Sequence, residues 1–205
     1  MSNERYGSDV FINCPFDAKY APIFQAVVFC IFECGFRARC ALEIDDSGQV
    51  RLERIVAIIR DCRLGIHDLS RTESDAATGL PRFNMPLELG LFLAAKWFGS
   101  GKQRDKVCLI LDREPYRYQA FISDIAGQDI RDHHDEPTRV IAAIRRWLRP
   151  LVKDRPLPGE TAINARYDLF RSELPEMCRE LKLTNAEITF IDLTHLVEEW
   201  LRVNG

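Results

Sequence analysis

Metal-ligating residues are scarce in this chain of 205 residues: it has 4 histidines, no HExxH or HxxxH, and no CxxC among its 7 cysteines. A zinc centre has almost no ligand set to draw on, and no metal site is expected. The cysteines are odd in number and mostly set in apolar segments, which reads as reduced, buried thiols. Long hydrophobic runs are missing too. The longest, Ala26 to Phe32, is far short of the roughly 20 residues that span a bilayer. The opening MSNERYGSDV carries no hydrophobic signal segment, so a cytoplasmic location without a membrane partner is expected. Excess charge of one sign is also lacking. Lys+Arg 28 against Asp+Glu 31 leaves a net charge of −3, with no basic stripe, which argues against a nucleic-acid partner. No repeat or low-complexity stretch is present.

What remains is an ordinary globular composition, 46% hydrophobic and 29% charged. The apolar pattern alternates between strand and helix. Asp9 to Cys14 reads as a first strand, and Pro22 to Cys34 as a helix stopped by Gly35. Phe36 to Glu43 alternates apolar and polar residues, as an edge strand with one wet face does. Val50 to Cys62 is helical, and Leu64 to Leu69 is a third strand. Ser70 to Phe83 has no periodicity, only punctuation, and reads as a lid-like loop. A helix follows from Asn84, with Asn84 as its cap and Pro86 in the first turn, to the stop at Gly99. Lys106 to Leu111 is a fourth strand, a short helix is expected at Tyr118 to Ile122, and a fifth strand near Gln128 to Arg131. His133 and His134 fall in a charged run that reads as a solvated loop before the amphipathic helix Thr138 to Val152. After a Pro-rich linker come two helices, Thr161 to Leu181, interrupted at Pro175, and Thr189 to Val203, capped by Thr189. They are expected to pack back through Leu169, Phe170, Leu174, Leu196, Val197 and Trp200. The expected organisation is an α/β domain over 1–155 and a C-terminal helical appendage over 156–205.

Strands alternating with helices imply a parallel sheet, and five of them favour the flavodoxin-like order 2-1-3-4-5. In such sheets a ligand sits beyond the carboxyl ends of the strands at the switch point, here between the first and third strands. Topology therefore names the candidate binding residues: Asn13, Cys14 and Asp17 after strand one, His67, Asp68, Ser70 and Arg71 after strand three, and Asn84 with Glu88 at the start of the next helix. Glu88 is the carboxylate of an otherwise almost uncharged segment. Its plain reading is a first-turn acid favoured by the helix dipole; its functional reading is an ionised group facing the crevice.

The strand DVFIN with its Pro-Phe-Asp loop, the strand LGIHDLS, and NMPLELG followed by KVCLIL together resemble prokaryotic TIR-like domains and, more distantly, nucleoside 2-deoxyribosyltransferases. The most specific piece is Asn84-x-Pro86-x-Glu88-Leu89-Gly90, which looks like the N-x-x-x-E-L-G segment of bacterial TIR-like proteins. The resemblance covers about Ser8 to Trp147 and implies Glu88 as the catalytic residue, acting on an N-glycosidic bond of NAD or a nucleoside. Asn13-Cys14-Pro15-Phe16 stand where many active TIR domains keep a serine and aromatics. Pro81, Arg82 and Phe83 stand where the transferases keep a further acid.

The leading expectation is an enzyme that cleaves or converts NAD, taken as substrate and with no cofactor, in bacterial antiviral defence. It would work as a homo-oligomer or with an effector protein as partner. The alternatives are a module that binds a nucleotide signal or another TIR-type surface without turnover, a purely structural interaction protein, and a deoxyribosyltransferase-like enzyme.

Overall fold

The computed structural model describes residues 2–74, 79–184 and 186–205, with the side chains of 2–4 not described. The five strands are β1 (Asp9–Asn13), β2 (Arg37–Cys40), β3 (Leu64–Asp68), β4 (Val107–Asp112) and β5 (Arg131–Asp132). The seven helices are α1 (Ser2–Ser8), α2 (Ala21–Glu33), α3 (Arg51–Asp61), α4 (Asn84–Phe98), α5 (Pro137–Leu148), α6 (Glu160–Glu180) and α7 (Phe190–Asn204). The sheet is parallel throughout, in the order β2-β1-β3-β4-β5. This is the flavodoxin-like order, with the wetter β2 at the edge. Among the described residues no helix is long and apolar enough to cross a membrane.

The pleat sends alternate side chains to the two faces. Val10, Ile12, Leu64, Ile66, Leu109 and Leu111 pack under α2 and α5, whereas Phe11 and Ile110 pack under α3 and α4. Gly65, next to His67 on the α4 face, has a steric reason to lack a side chain. A Cβ there would come within 2.7 Å of the Phe92 ring and 2.8 Å of His67 Nε2.

Helix α2 is buried on nearly all sides, as its run Ala26 to Ile31 requires. The sheet covers one side, and α6 and α7 cover the other. Phe29 lies 5.5 Å from the Tyr167 ring, 5.3 Å from Phe170 and 5.6 Å from Trp200. The C-terminal helices thus share the main core of the sheet through Phe170, Leu174, Leu196, Val197 and Trp200.

Several local expectations are corrected. Leu169 is 46% exposed on the outer side of α6, one helical step from Phe170. Helix α6 runs on through Pro175, since buried Leu174 and Cys178 hold the turns on both sides of it against the core. Strand β2 is confined to Arg37–Cys40, because the Glu43 N–H turns back to the Cys40 carbonyl at 3.2 Å. Thr189 does cap α7, in a reciprocal box with Asp192. All seven cysteines are unpaired, and six of them are buried.

Candidate functional site

The carboxyl ends of β1 and β3 deliver their side chains to two different layers. Asn13 and His67 are register partners in adjacent strands, and both point toward α4. The Asn13 amide donates to the Met85 carbonyl at 2.8 Å and to His67 Nδ1 at 3.1 Å. Asn13 thus ties the end of β1 to the first turn of α4. With Nδ1 accepting, the His67 proton sits on Nε2, which has no partner. Burial, and secondarily the Lys106 ammonium, push the His67 pKa down to about 3. It is a neutral ring, edge-on to Phe92 at 4.9 Å and to Phe11 at 5.8 Å.

Asp68 points to the other layer, toward α2 and α5. It accepts from the Tyr20 hydroxyl at 2.5 Å and from the Ser70 N–H at 2.8 Å, and His133 Nε2 lies 3.0 Å away. Burial alone would raise its pKa, but His133, Ser70 and Tyr20 together hold it below the usual carboxylate range. His133 is completely buried, which overturns its reading as part of a solvated loop. Its Nδ1 accepts the Asp135 N–H at 3.0 Å, leaving Nε2–H to face Asp68. Burial pushes the imidazole pKa down, yet Asp68, Asp135 and Asp112 outweigh it and raise the pKa. Taking up a second proton would cost the bond from Asp135. The sequence offered one signal for this role, the placement of His133 just beyond a strand end on the side where ligands and buried polar networks gather.

A second buried carboxylate, Asp112 at the end of β4, is held by Arg117, whose Nε donates to it at 2.8 Å and whose Nη2 lies 2.7 Å from the same oxygen. Arg117 also donates to the Leu69 carbonyl and, at 3.2 Å, to Thr72 Oγ1. These contacts fix the start of the segment after β3. Ser70 is fully buried, and its Oγ has no partner among the described residues. Arg71 lies 3.7 Å from Asp135. The lid-like reading of Ser70 to Phe83 falls partly on residues 75–78, outside the described residues; the flanking Ser74 and Pro81 form an antiparallel bridge.

Helix α4 departs from expectation in a way that matters chemically. Asn84 is its first residue, exposed, and makes no capping bond; Phe83 occupies the cap position. The Asn84 side chain is therefore no N-cap, and the exposed loop end leaves it in solvent. Glu88 consequently stands in the second turn, not the first, where the helix dipole offers it little. Its residue is only 9% exposed, and no hydrogen bond or ion pair to a described residue contributes to its ionisation. Burial, eased only by the field of Arg51, raises its pKa from 4.5 to about 7. Desolvating a carboxylate without a charge-paired partner costs stability, and strongly shifted groups concentrate where a protein performs chemistry.

The surroundings of Cys14 show what lies near Glu88. Burial pushes this thiol well up, and Asp68, Cys40, Glu88 and Asp17 all act in the same direction. Cys40, at the end of β2, also feels Glu88. The Glu88 charge therefore acts on both thiols, at the ends of β1 and β2. Cys14 itself is a protonated, inert thiol. Asp17 makes a local turn, accepting the Tyr20 N–H at 2.9 Å. Beside it opens a cavity of about 190 Å³ between the β1–α2 loop, Leu42 and the start of α7, with Phe16, Phe24 and Phe190 among its walls. The contribution of α7 to this cavity had no sequence signal, because it depends on where the C-terminal helices dock.

Family models, curated proteins and solved structures give no match to the chain. Its chemistry must therefore be read from the side chains themselves. Among the described residues no group of three or more His, Cys, Asp or Glu is arranged to hold a metal ion.

Proposed function

We propose that the chain cleaves the N-glycosidic bond of a nucleotide such as NAD, with Glu88 as the catalytic carboxylate. The observation that carries this reading is the largely buried side chain of Glu88 on α4, which no described residue pairs with and whose pKa burial raises to about 7. Cleaving the nicotinamide–ribose bond asks little of a protein. The C1′–N bond breaks, its electron pair neutralises the pyridinium, and nicotinamide leaves without needing a proton. The ribose passes through an oxocarbenium-like state, which a nearby carboxylate stabilises or traps until a hydroxyl attacks C1′ and sheds its proton to solvent. A desolvated carboxylate does this better than a hydrated one. The pyridinium charge of the bound substrate would itself favour the ionised form of Glu88. In this reading Asp17, which lines the cavity beside the β1–α2 loop, would contact ribose hydroxyls, whereas the buried Ser70 would act from behind by fixing Asp68 through its N–H.

Incubation of the purified chain with NAD, reading nicotinamide release at low and high protein concentration, tests the proposal. Release should increase with pH through about 7, because the ionised form is the active one. A chain that binds NAD but never releases nicotinamide at any concentration would instead be a nucleotide-sensing module. A deoxyribosyltransferase reading would need base exchange between deoxynucleosides in the same assay.

A further inference from the structure

The two faces of the sheet are finished differently. The α2 and α5 layer is covered by α6 and α7, whereas among the described residues α4 is flanked on one side by the segment around Tyr118 and Ile125 and no helix covers its outer side or that of α3. Large apolar side chains collect on that uncovered side: Phe83 is 64% exposed, Leu87 52%, Trp97 59% and Phe98 86%, with Leu52 and Val56 of α3 at 45% each. At 100° per residue, Phe83, Leu87, Gly90, Leu91, Ala94 and Phe98 form one stripe along α4, opposite the buried Met85, Leu89 and Phe92. The stripe carries no charge. Lys96 lies off it, toward Cys108, and Glu88 lies at the edge of the buried face.

We infer that a second copy of this chain packs on this face, α4 against α4 in antiparallel orientation about a two-fold axis near Gly90 and Leu91. The sequence of the stripe is self-complementary about that point. Reversed on itself, it sets Phe83 against Phe98 of the second copy, Leu87 against Ala94, and Gly90 against Leu91. Each pair joins a large side chain with a small one or an aromatic with an aromatic, as a two-fold interface requires. Gly90 has open space where a Cβ would stand, so the two backbones can approach closely at the centre while the aromatic ends wrap the partner. The three exposed aromatics and Leu87 offer about 500 Å² of apolar surface per copy, taking about 200 Å² for a whole aromatic side chain. Doubled, that reaches the roughly 1,000 Å² at which specific interfaces begin, and each copy's share sits toward the upper end of the apolar patches found on monomers. Because Glu88 belongs to the buried side of α4 and the stripe faces outward, pairing would not cover Glu88 and would fix the helix that carries it.

Analytical ultracentrifugation of the full chain from about 1 to 200 µM tests this. The wild type should move from monomer to dimer across the range. Phe83→Asp and Phe98→Asp, both at exposed positions, should stay monomeric with unchanged circular dichroism, while Leu169→Asp on α6 should dimerise like the wild type. Leu91→Cys, next to the axis, should give a covalent dimer on mild oxidation; Leu169→Cys should not. A wild type that stays monomeric at 200 µM, dimers that survive both aspartate substitutions, or binding of this face to phosphatidylcholine vesicles in place of a second copy would overturn the inference.

Discussion

Replacing Glu88 by Gln should make the protein more stable, and by an amount that depends on pH. The side chain keeps its shape and loses its charge. Folding raises the carboxyl pKa from 4.5 to about 7, a difference of about 2.5 units, and each unit corresponds to 1.36 kcal/mol. The folded chain therefore holds a proton that the unfolded chain has already released between these two values. Stability falls as pH rises through that window, by about 3 kcal/mol in all, and is fully retained below about pH 4. Glutamine has no such slope, so the stability of Glu88→Gln relative to wild type should grow by about 3 kcal/mol from pH 4 to pH 8. In a chain of this size that corresponds to roughly 6–12 °C in melting temperature. Urea unfolding of both proteins across this range measures it, and the comparison cancels the titration of His133 and all other shared groups. An offset that does not change with pH would mean that Glu88 titrates as an ordinary carboxylate, and the premise of the proposed site would fail.

Asp68→Ala leaves the Tyr20 hydroxyl and His133 buried without their acceptor; a loss of about 3–5 kcal/mol is expected in urea unfolding, and a loss under 1 kcal/mol would show that the network is not structural. Gly65→Ala drives a methyl into Phe92 and His67 and should cost about 1–3 kcal/mol, read as a lower melting temperature; an unchanged value would refute the close packing. A chain ending at residue 156 loses the cover over Phe29 and should lose its near-ultraviolet circular dichroism. A soluble fragment with an unchanged melting temperature would contradict the shared core.

The strand order was legible because each strand is a short apolar run separated by amphipathic helices, and the alternation in Phe36 to Cys40 marked β2 as an edge. The docking of the C-terminal helices was legible in their own apolar residues, Phe170, Leu174, Leu196, Val197 and Trp200, which two helices alone could not bury; that they dock on α2 depends on the fold. The buried role of His133 was hidden by its charged neighbours in sequence. Only the fold brings it to Asp68, 65 positions earlier in the chain. Asn13 and Asp68 were both named by topology, but the pleat sends them to opposite layers, a distinction that depends on register. Glu88 was visible as the carboxylate of an uncharged helix. Its burial was not, because that depends on α4 starting at Asn84 and so placing it one turn deeper than a capping residue.

The central claim is that this carboxylate breaks an N-glycosidic bond, and the most direct test is nicotinamide release from NAD by wild type and Glu88→Gln, side by side at pH 8 and at concentrations where the wild type is active. The account predicts a fall in turnover of at least about 10²-fold, the scale of removing one preorganised electrostatic group, with NAD binding largely kept and the variant at least as stable as wild type. A glutamine variant that releases nicotinamide at the wild-type rate would contradict it.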